Sequence, residues 1–221
     1  MNPKDFIDAV IEGDGEKVKR FVAEALEKGE AAATILSEGL TPGILEVGEL
    51  FHAGEIFLPE MLLSARAMSA GLSLLKPILS ATEVEPIGKV VLGTVKGDLH
   101  DIGKNIVGML MRGAGFEVFD LGVDVSADRF IESVSRQKAD IVAISALLST
   151  TMPAMKDTVK VIKNSDVGDR VKILVGGAPI SQEFAAKIGA NSYGEDAPEA
   201  VKKAMALMAN KSQIPPLKGV A

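Results

Sequence analysis

The hydrophobic pattern of this chain changes its period once, near residue 89, and that change calls for two kinds of architecture. Before it, apolar residues recur at helical spacing. Phe6, Ile7, Val10 and Ile11 form one stripe, and Val18, Phe21, Val22 and Leu26 a second. Ile44, Val47, Leu50 and Phe51 form a third, and Met61, Leu62, Ala65, Met68 and Leu72 a fourth. Breaks are expected at Gly13-Asp14-Gly15, near Gly29, at Thr41-Pro42-Gly43 and near Gly54, with Pro42 and Pro59 close to helix starts. Helices joined by such short loops make an antiparallel bundle.

After residue 89, short apolar runs alternate with helical patterns. The runs are Val90–Val95, Phe116–Leu121, Ile141–Ser145, Val171–Val175 and a weaker one at Ala190–Tyr193. The helical patterns lie near 103–114, 126–137, 152–164, 181–188 and 196–209. Continuously apolar strands are buried on both faces, and their alternation with helices builds a parallel sheet. The expected fold is α/β. A helical bundle over residues 1–82 and a linker over 83–88 precede a doubly wound, Rossmann-like or flavodoxin-like domain over 89–212, with a tail over 213–221.

Composition narrows the function. Aromatic residues are only 4% of the chain, Trp is absent and the net charge is -6. Single-stranded nucleic acid needs stacking platforms and duplexes need a basic face, so neither is an expected partner. With no Cys, disulfides, thiolate metal sites and cysteine nucleophiles are excluded. The opening MNPKDFIDAVIEGD lacks the apolar run of a signal peptide. No stretch is expected to reach the roughly 20 apolar residues of a membrane span. These features lead to the expectation of a cytoplasmic protein with no membrane partner.

In doubly wound sheets ligands bind beyond the carboxyl ends of the strands. The first such loop, Lys96-Gly97-Asp98-Leu99-His100-Asp101-Ile102-Gly103, holds one of only two histidines. A neutral imidazole is a good transition-metal ligand, and a ligating His usually gives its other N–H to a carboxylate. Asp98 is near enough in sequence for that, although a helix-capping or turn role is the ordinary reading of such an Asp. Gly103 permits close approach of a bulky ligand. A protein-only metal cage is disfavoured, because His52 lies in the other half. One His suffices if a macrocycle brings the remaining ligands. The G-x-G-x-x-G spacing is absent, so a dinucleotide is disfavoured, and no Walker-type lysine motif occurs.

The loop resembles the Asp-x-His-x-x-Gly signature of base-off, His-on cobalamin proteins. Further matches follow in order: Ser145-Ala146-Leu147 after the third strand, Gly176-Gly177 after the fourth, and Tyr193-Gly194-Glu195-Asp196-Ala197 near the end. Upstream, Gly54-Glu55-Ile56-Phe57-Leu58-Pro59-Glu60-Met61 resembles the helical cap segment of the same family. All but the last few residues are similar to the cobalamin module of methionine synthase, and more so to stand-alone corrinoid proteins of methylamine and methanol methyltransferase systems.

The resemblance implies a methyl carrier. The cofactor would be cobalamin, and His100 would be the lower axial ligand of its cobalt. Asp98 would hydrogen-bond His100, and Thr151 would extend that relay where methionine synthase has a serine. Contacts would come from Asp98, His100, Asp101, Ile102, Gly103, Ser145, Leu147, Thr151, Gly176, Gly177 and Tyr193. Ser145 would meet the buried benzimidazole, and the two glycines would leave room for the nucleotide tail. The partners implied are a substrate-specific methyltransferase, an acceptor methyltransferase that passes the methyl to a folate, pterin or thiol, and a reductive activase. A cobalamin-dependent regulator would add a DNA-binding module, and the small subunit of a mutase usually lacks the helical cap. His52 is read as a helix-end residue. Phe57, Leu58, Met61 and most of the methionines, such as Met109, Met111 and Met155, are read as core, and the resemblance implies that some of Phe57, Leu58 and Met61 also touch the corrin ring.

Overall fold

The computed structural model describes residues 1–81 and 85–209. Its first half is helical. Helix α1 (Pro3–Ile11) is followed by α2 (Gly15–Glu27), whose first turn is capped by the Asp14 carboxylate accepting from Lys17 N at 2.9 Å. The short α3 (Ala32–Thr34) runs through a π-helical segment (Ile35–Leu40) into α4 (Thr41–His52). A helix of 24 residues, α5 (Leu58–Ala81), completes this half.

The break expected at Thr41-Pro42-Gly43 is absent: the chain stays helical across it. A proline ring presses on the carbonyl four residues earlier, and the wider π turns before Pro42 accommodate it. Gly43 is there for packing. A Cβ on it would lie 3.0 Å from Val10 Cβ and 3.2 Å from Ile7 Cα, where α1 crosses.

The second half alternates as expected. Strand β1 (Lys89–Thr94) leads to α6 (Ile102–Gly113), β2 (Glu117–Asp120) to α7 (Ala127–Gln137), and β3 (Ile141–Ser145) through a 3-10 turn (Ser149–Thr151) to α8 (Met152–Lys163). Then come β4 (Lys172–Gly176), α9 (Gln182–Ile188), β5 (Ser192–Gly194) and α10 (Ala197–Ala209). All pairings are parallel, in the order β2-β1-β3-β4-β5. This is the flavodoxin-like arrangement, whose switch point lies between β1 and β3.

Alternation along the strands divides the core. Val90, Leu92, Ala143 and Leu174 share one cluster with α6, α10 and the N-terminal helices. Val91, Val142, Ile144, Ile173 and Val175 face α7, α8 and α9. The first half therefore reaches the sheet through α6 and α10. Of the linker read at 83–88, Glu85–Gly88 lead into β1 and residues 83–84 lie outside the described residues, as does the tail read at 213–221.

Helix α5 corrects one expectation. Within it, Leu58–Leu79 is long and apolar enough to cross a membrane by length and composition alone. It behaves as a core helix on one face: Met61, Ser64, Ala65, Ala67, Met68 and Leu75 are buried. Ser64 Oγ donates to Ile11 O at 3.1 Å, tying it to α1.

Candidate functional site

The loop after β1 is pinned by its own hydrogen bonds. Asp98 N donates to Val95 O (3.1 Å) and Asp124 N to Asp98 O (3.0 Å). The buried Thr94 hydroxyl donates to His100 O at 2.9 Å. These contacts bring the Asp98 carboxylate to the inside of the loop, where it is fully buried.

Asp98 gathers donors from two loops that lie about fifty residues apart. Its Oδ1 accepts from His100 N at 3.1 Å and lies 2.7 Å from His100 Nδ1. Its Oδ2 accepts from Leu147 N (2.7 Å), Leu148 N (3.3 Å) and Thr151 Oγ1 (2.8 Å). Burial pushes the carboxyl group's pKa up. The Leu147 N–H, the His100 ring and N–H, and the Thr151 hydroxyl outweigh it and hold Asp98 well below the ordinary carboxylate range.

An ionised carboxylate only accepts, so His100 Nδ1 donates to it, and in the neutral imidazole Nε2 is then the nitrogen with the lone pair. The His100 side chain is half exposed and lines a cavity. Thr151 Oγ1 is also 2.8 Å from Leu148 O, so its single proton serves Asp98 or that carbonyl, one at a time.

The cavity, about 560 Å³, lies over the carboxyl ends of β1, β3 and β4. The starts of α6 and α10 border it, and Phe51, Leu58 and Met61 close it from the helical side. Strand register sets Thr94, Ser145, Gly176 and Gly194 in a row, and the last three line the cavity. Of the residues singled out from the sequence, His100, Asp101, Ile102, Gly103, Ser145, Leu147, Gly176 and Gly177 line it. Asp98 and Thr151 stand behind His100.

Tyr193 does not line the cavity. It packs on the opposite face of the sheet because side chains alternate along β5, and its neighbour Gly194 takes the cavity position. Burial raises the pKa of its hydroxyl, and Glu195 and Asp196 add to this. The core reading of Phe57 and Leu58 is also corrected. Phe57 is 67% exposed and Leu58 42%, and only Met61 is buried. Met111 and Met155 are fully buried and Met109 partly so. His52, at the end of α4, lies 3.6 Å from Asp196 Oδ2 and outside the cavity lining.

Sequence reading missed Lys104. It lines the cavity and is buried, with Nζ 2.5 Å from Asp120 Oδ2 and 2.6 Å from Asn105 Oδ1. A lysine in a first helical turn reads as solvated. Only the pairing of β1 with β2 brings Asp120 to it.

Two features suit a bulky metal-centred ligand. No cluster of His, Asp or Glu among the described residues could hold a bare ion, so a metal bound at His100 must bring its other ligands. At Gly103 a Cβ would meet nothing within 4 Å, which leaves open space at the wall of the cavity that His100 also lines.

Comparison with known proteins shows the family. Residues 88–202 match the model of the B12 binding domain family, and residues 4–76 match a second B12 binding domain family. The dimethylamine corrinoid protein 2 of Methanosarcina acetivorans is 42% identical over 209 residues, covering 94% of this chain and 96% of that protein. A crystal structure of a cobalamin-binding protein from Desulfitobacterium hafniense superposes with TM-score 0.78 at 30% identity, covering 91% of this chain and 96% of that one. A chain in the methanol:cobalamin methyltransferase complex of Methanosarcina barkeri gives TM-score 0.80 at 34% identity, covering 93% and 78%. With its helical layer, its parallel sheet and both family matches, this chain belongs to the family of B12-binding corrinoid proteins.

Proposed function

We propose that this chain carries a methyl group on a corrinoid between two methyltransferases, with His100 Nε2 as the lower axial ligand of the cobalt. The observation that carries this reading is the Asp98–His100 pair, which fixes the imidazole tautomer and leaves Nε2 free at the cavity. When bound, the corrinoid supplies a cobalt centre that takes up and releases a methyl group.

The residues of the chain provide binding, orientation and control of protons. Asp98 holds the ring, and Thr151 can hold a proton against Asp98 or turn it to Leu148 O. Gly103 leaves the backbone open to close approach, and Ser145, Gly176 and Gly177 form the wall that receives the nucleotide tail. The helices before residue 82 act as a cap. Their Phe51, Leu58 and Met61 shield the cavity from water and yield to a partner.

One partner is a substrate-specific methyltransferase that loads the methyl group. The names of the relatives point to a methylamine or methanol as its source. The other passes the methyl to a folate, pterin or thiol, and a reductive activase restores the cofactor. A match running through the helical layer favours a carrier over a mutase small subunit.

His100→Ala should abolish the histidine-ligated absorption spectrum after reconstitution with hydroxocobalamin. The loss of unfolding free energy should be about 2 kcal/mol, for one hydrogen bond to an ionised carboxylate. An unchanged cobalt spectrum would overturn the ligand assignment. Gly103→Ala should keep the melting temperature, or raise stability by up to about 1 kcal/mol, because Ala favours helix. It should weaken hydroxocobalamin binding roughly tenfold by intruding on the ligand. Wild-type affinity in that variant would place the ligand elsewhere.

A further inference from the structure

Two non-glycine residues among those described have a positive φ, Asp124 and Lys138, both at +53°. Lys138 ends α7, where a left-handed residue is ordinary. Asp124 lies instead in the loop after β2, where glycine would take the same φ without strain. Its side chain is used there. Asp124 Oδ1 accepts from Gly97 N at 2.7 Å, and Asp124 N donates to Asp98 O at 3.0 Å. Both partners belong to the loop after β1, three and two residues before His100.

The rest of the loop after β2 grips the same loop. Gly122 O accepts from Thr94 N (3.0 Å), and Val125 N donates to Thr94 O (2.9 Å). Thr94 in turn donates its hydroxyl to His100 O. The far end is anchored as well. Asp120 Oδ1 accepts from Gly122 N at 2.9 Å, and Asp120 Oδ2 meets the buried Lys104 Nζ of α6. The histidine loop is therefore held from two sides. The loop after β3 holds it through the Asp98 carboxylate, and the loop after β2 through the main chain of Gly97 and Asp98.

Fold stability does not account for an aspartate at this position. Asp124 is exposed, so its hydrogen bond adds little, and the strained φ offsets it. What the bond does fix is position. Groups that orient a metal-binding histidine from behind typically change metal affinity roughly 10–100-fold.

We propose that Asp124 is a positioning residue for His100: from the loop after β2 it sets the main chain of Gly97 and Asp98, and through them the direction in which Nε2 enters the cavity. The proposal rests on the ligand reading above. Asp124 itself lies outside the cavity lining.

The test is equilibrium titration with hydroxocobalamin, followed by absorbance, alongside thermal unfolding and amide exchange of the ligand-free proteins. Asp124→Gly keeps the backbone conformation and removes the acceptor. It should melt near wild type and exchange the Gly97 amide faster. It should bind hydroxocobalamin roughly tenfold more weakly, with a bound spectrum shifted from histidine-ligated towards water-ligated. Asp124→Asn tolerates the same φ and keeps an acceptor oxygen, so it should restore affinity and spectrum. Asp128→Asn, at an exposed acid in the first turn of α7, should match wild type in every readout. Wild-type affinity and spectrum in Asp124→Gly would overturn the positioning role and leave the ligand reading intact. An affinity loss accompanied by a clearly lowered melting temperature would overturn it too, by showing that Asp124 serves the fold as a whole. Failure of Asp124→Asn to restore ligation would do the same, because the role requires only the acceptor oxygen in its place. A wild-type protein that bound no hydroxocobalamin would remove the ligand reading and this role together.

Discussion

Alanine at Gly177 is expected to destabilise the α/β half by at least about 4 kcal/mol, a large share of the stability of a typical domain. Its φ of +123° is one that residues with a Cβ rarely adopt, and the collision is worse than the strain. The new methyl would stand 1.9 Å from Ala146 O, a backbone atom that cannot turn away. Relief requires the loops after β3 and β4 to separate. That breaks the bond from Ala146 N to Gly176 O and shifts Leu147, whose N–H feeds Asp98. Gly97→Ala is the contrast. Its φ is +83° with nothing within 4 Å, so only strain applies, about 1 kcal/mol. Urea unfolding of both variants checks this, and a wild-type midpoint for Gly177→Ala would refute it. The glycine had been read as room for a nucleotide tail. The structure adds a reason internal to the protein.

Asp98→Asn is expected to cost roughly 3 kcal/mol at pH 7 and to loosen His100. An amide replaces one acceptor oxygen with a donor, which then faces Leu147 N–H and Thr151 or the His100 ring, leaving buried donors unpaired. The pH dependence has a definite sign. The carboxyl pKa of Asp98 is depressed in the folded protein, so as pH falls below about 4 the unfolded chain takes up the proton first. The stabilisation is complete above that pH and is lost as the solution is acidified towards the folded-state value. The gap in unfolding free energy between wild type and Asp98→Asn should therefore narrow below pH 4 and stay constant from about pH 5 to 7. Urea unfolding along a pH series measures it. A gap that widened on acidification would mean that Asp98 is not the ionised acceptor described here.

Much of the fold was legible because local periodicity reports local burial. Parallel strands are covered on both faces, so Val90–Val95 and Ile141–Ser145 stood out as apolar runs, and the helices between them kept their stripes. The same logic failed where a residue answered to a distant neighbour. Gly43 looked like a turn and is a crossing point for α1. Phe57 and Leu58 looked like core, yet both are exposed, and Leu58 lines a cavity that no local pattern encodes.

The candidate site divides in the same way. The sequence determined that Asp98 and His100 share the loop at the carboxyl end of the first strand, with Gly103 where the next helix begins, because their spacing and the strand before them are local facts. Tertiary structure alone decided that β1 lies beside β3, bringing Leu147, Leu148 and Thr151 onto the Asp98 carboxylate and so fixing which imidazole nitrogen is free. It also turned Tyr193 away from the cavity, paired Lys104 with Asp120, and laid the helical layer over the opening. Those outcomes depend on strand order and helix docking between residues far apart in the chain, and such packing leaves no periodic trace in either partner taken alone.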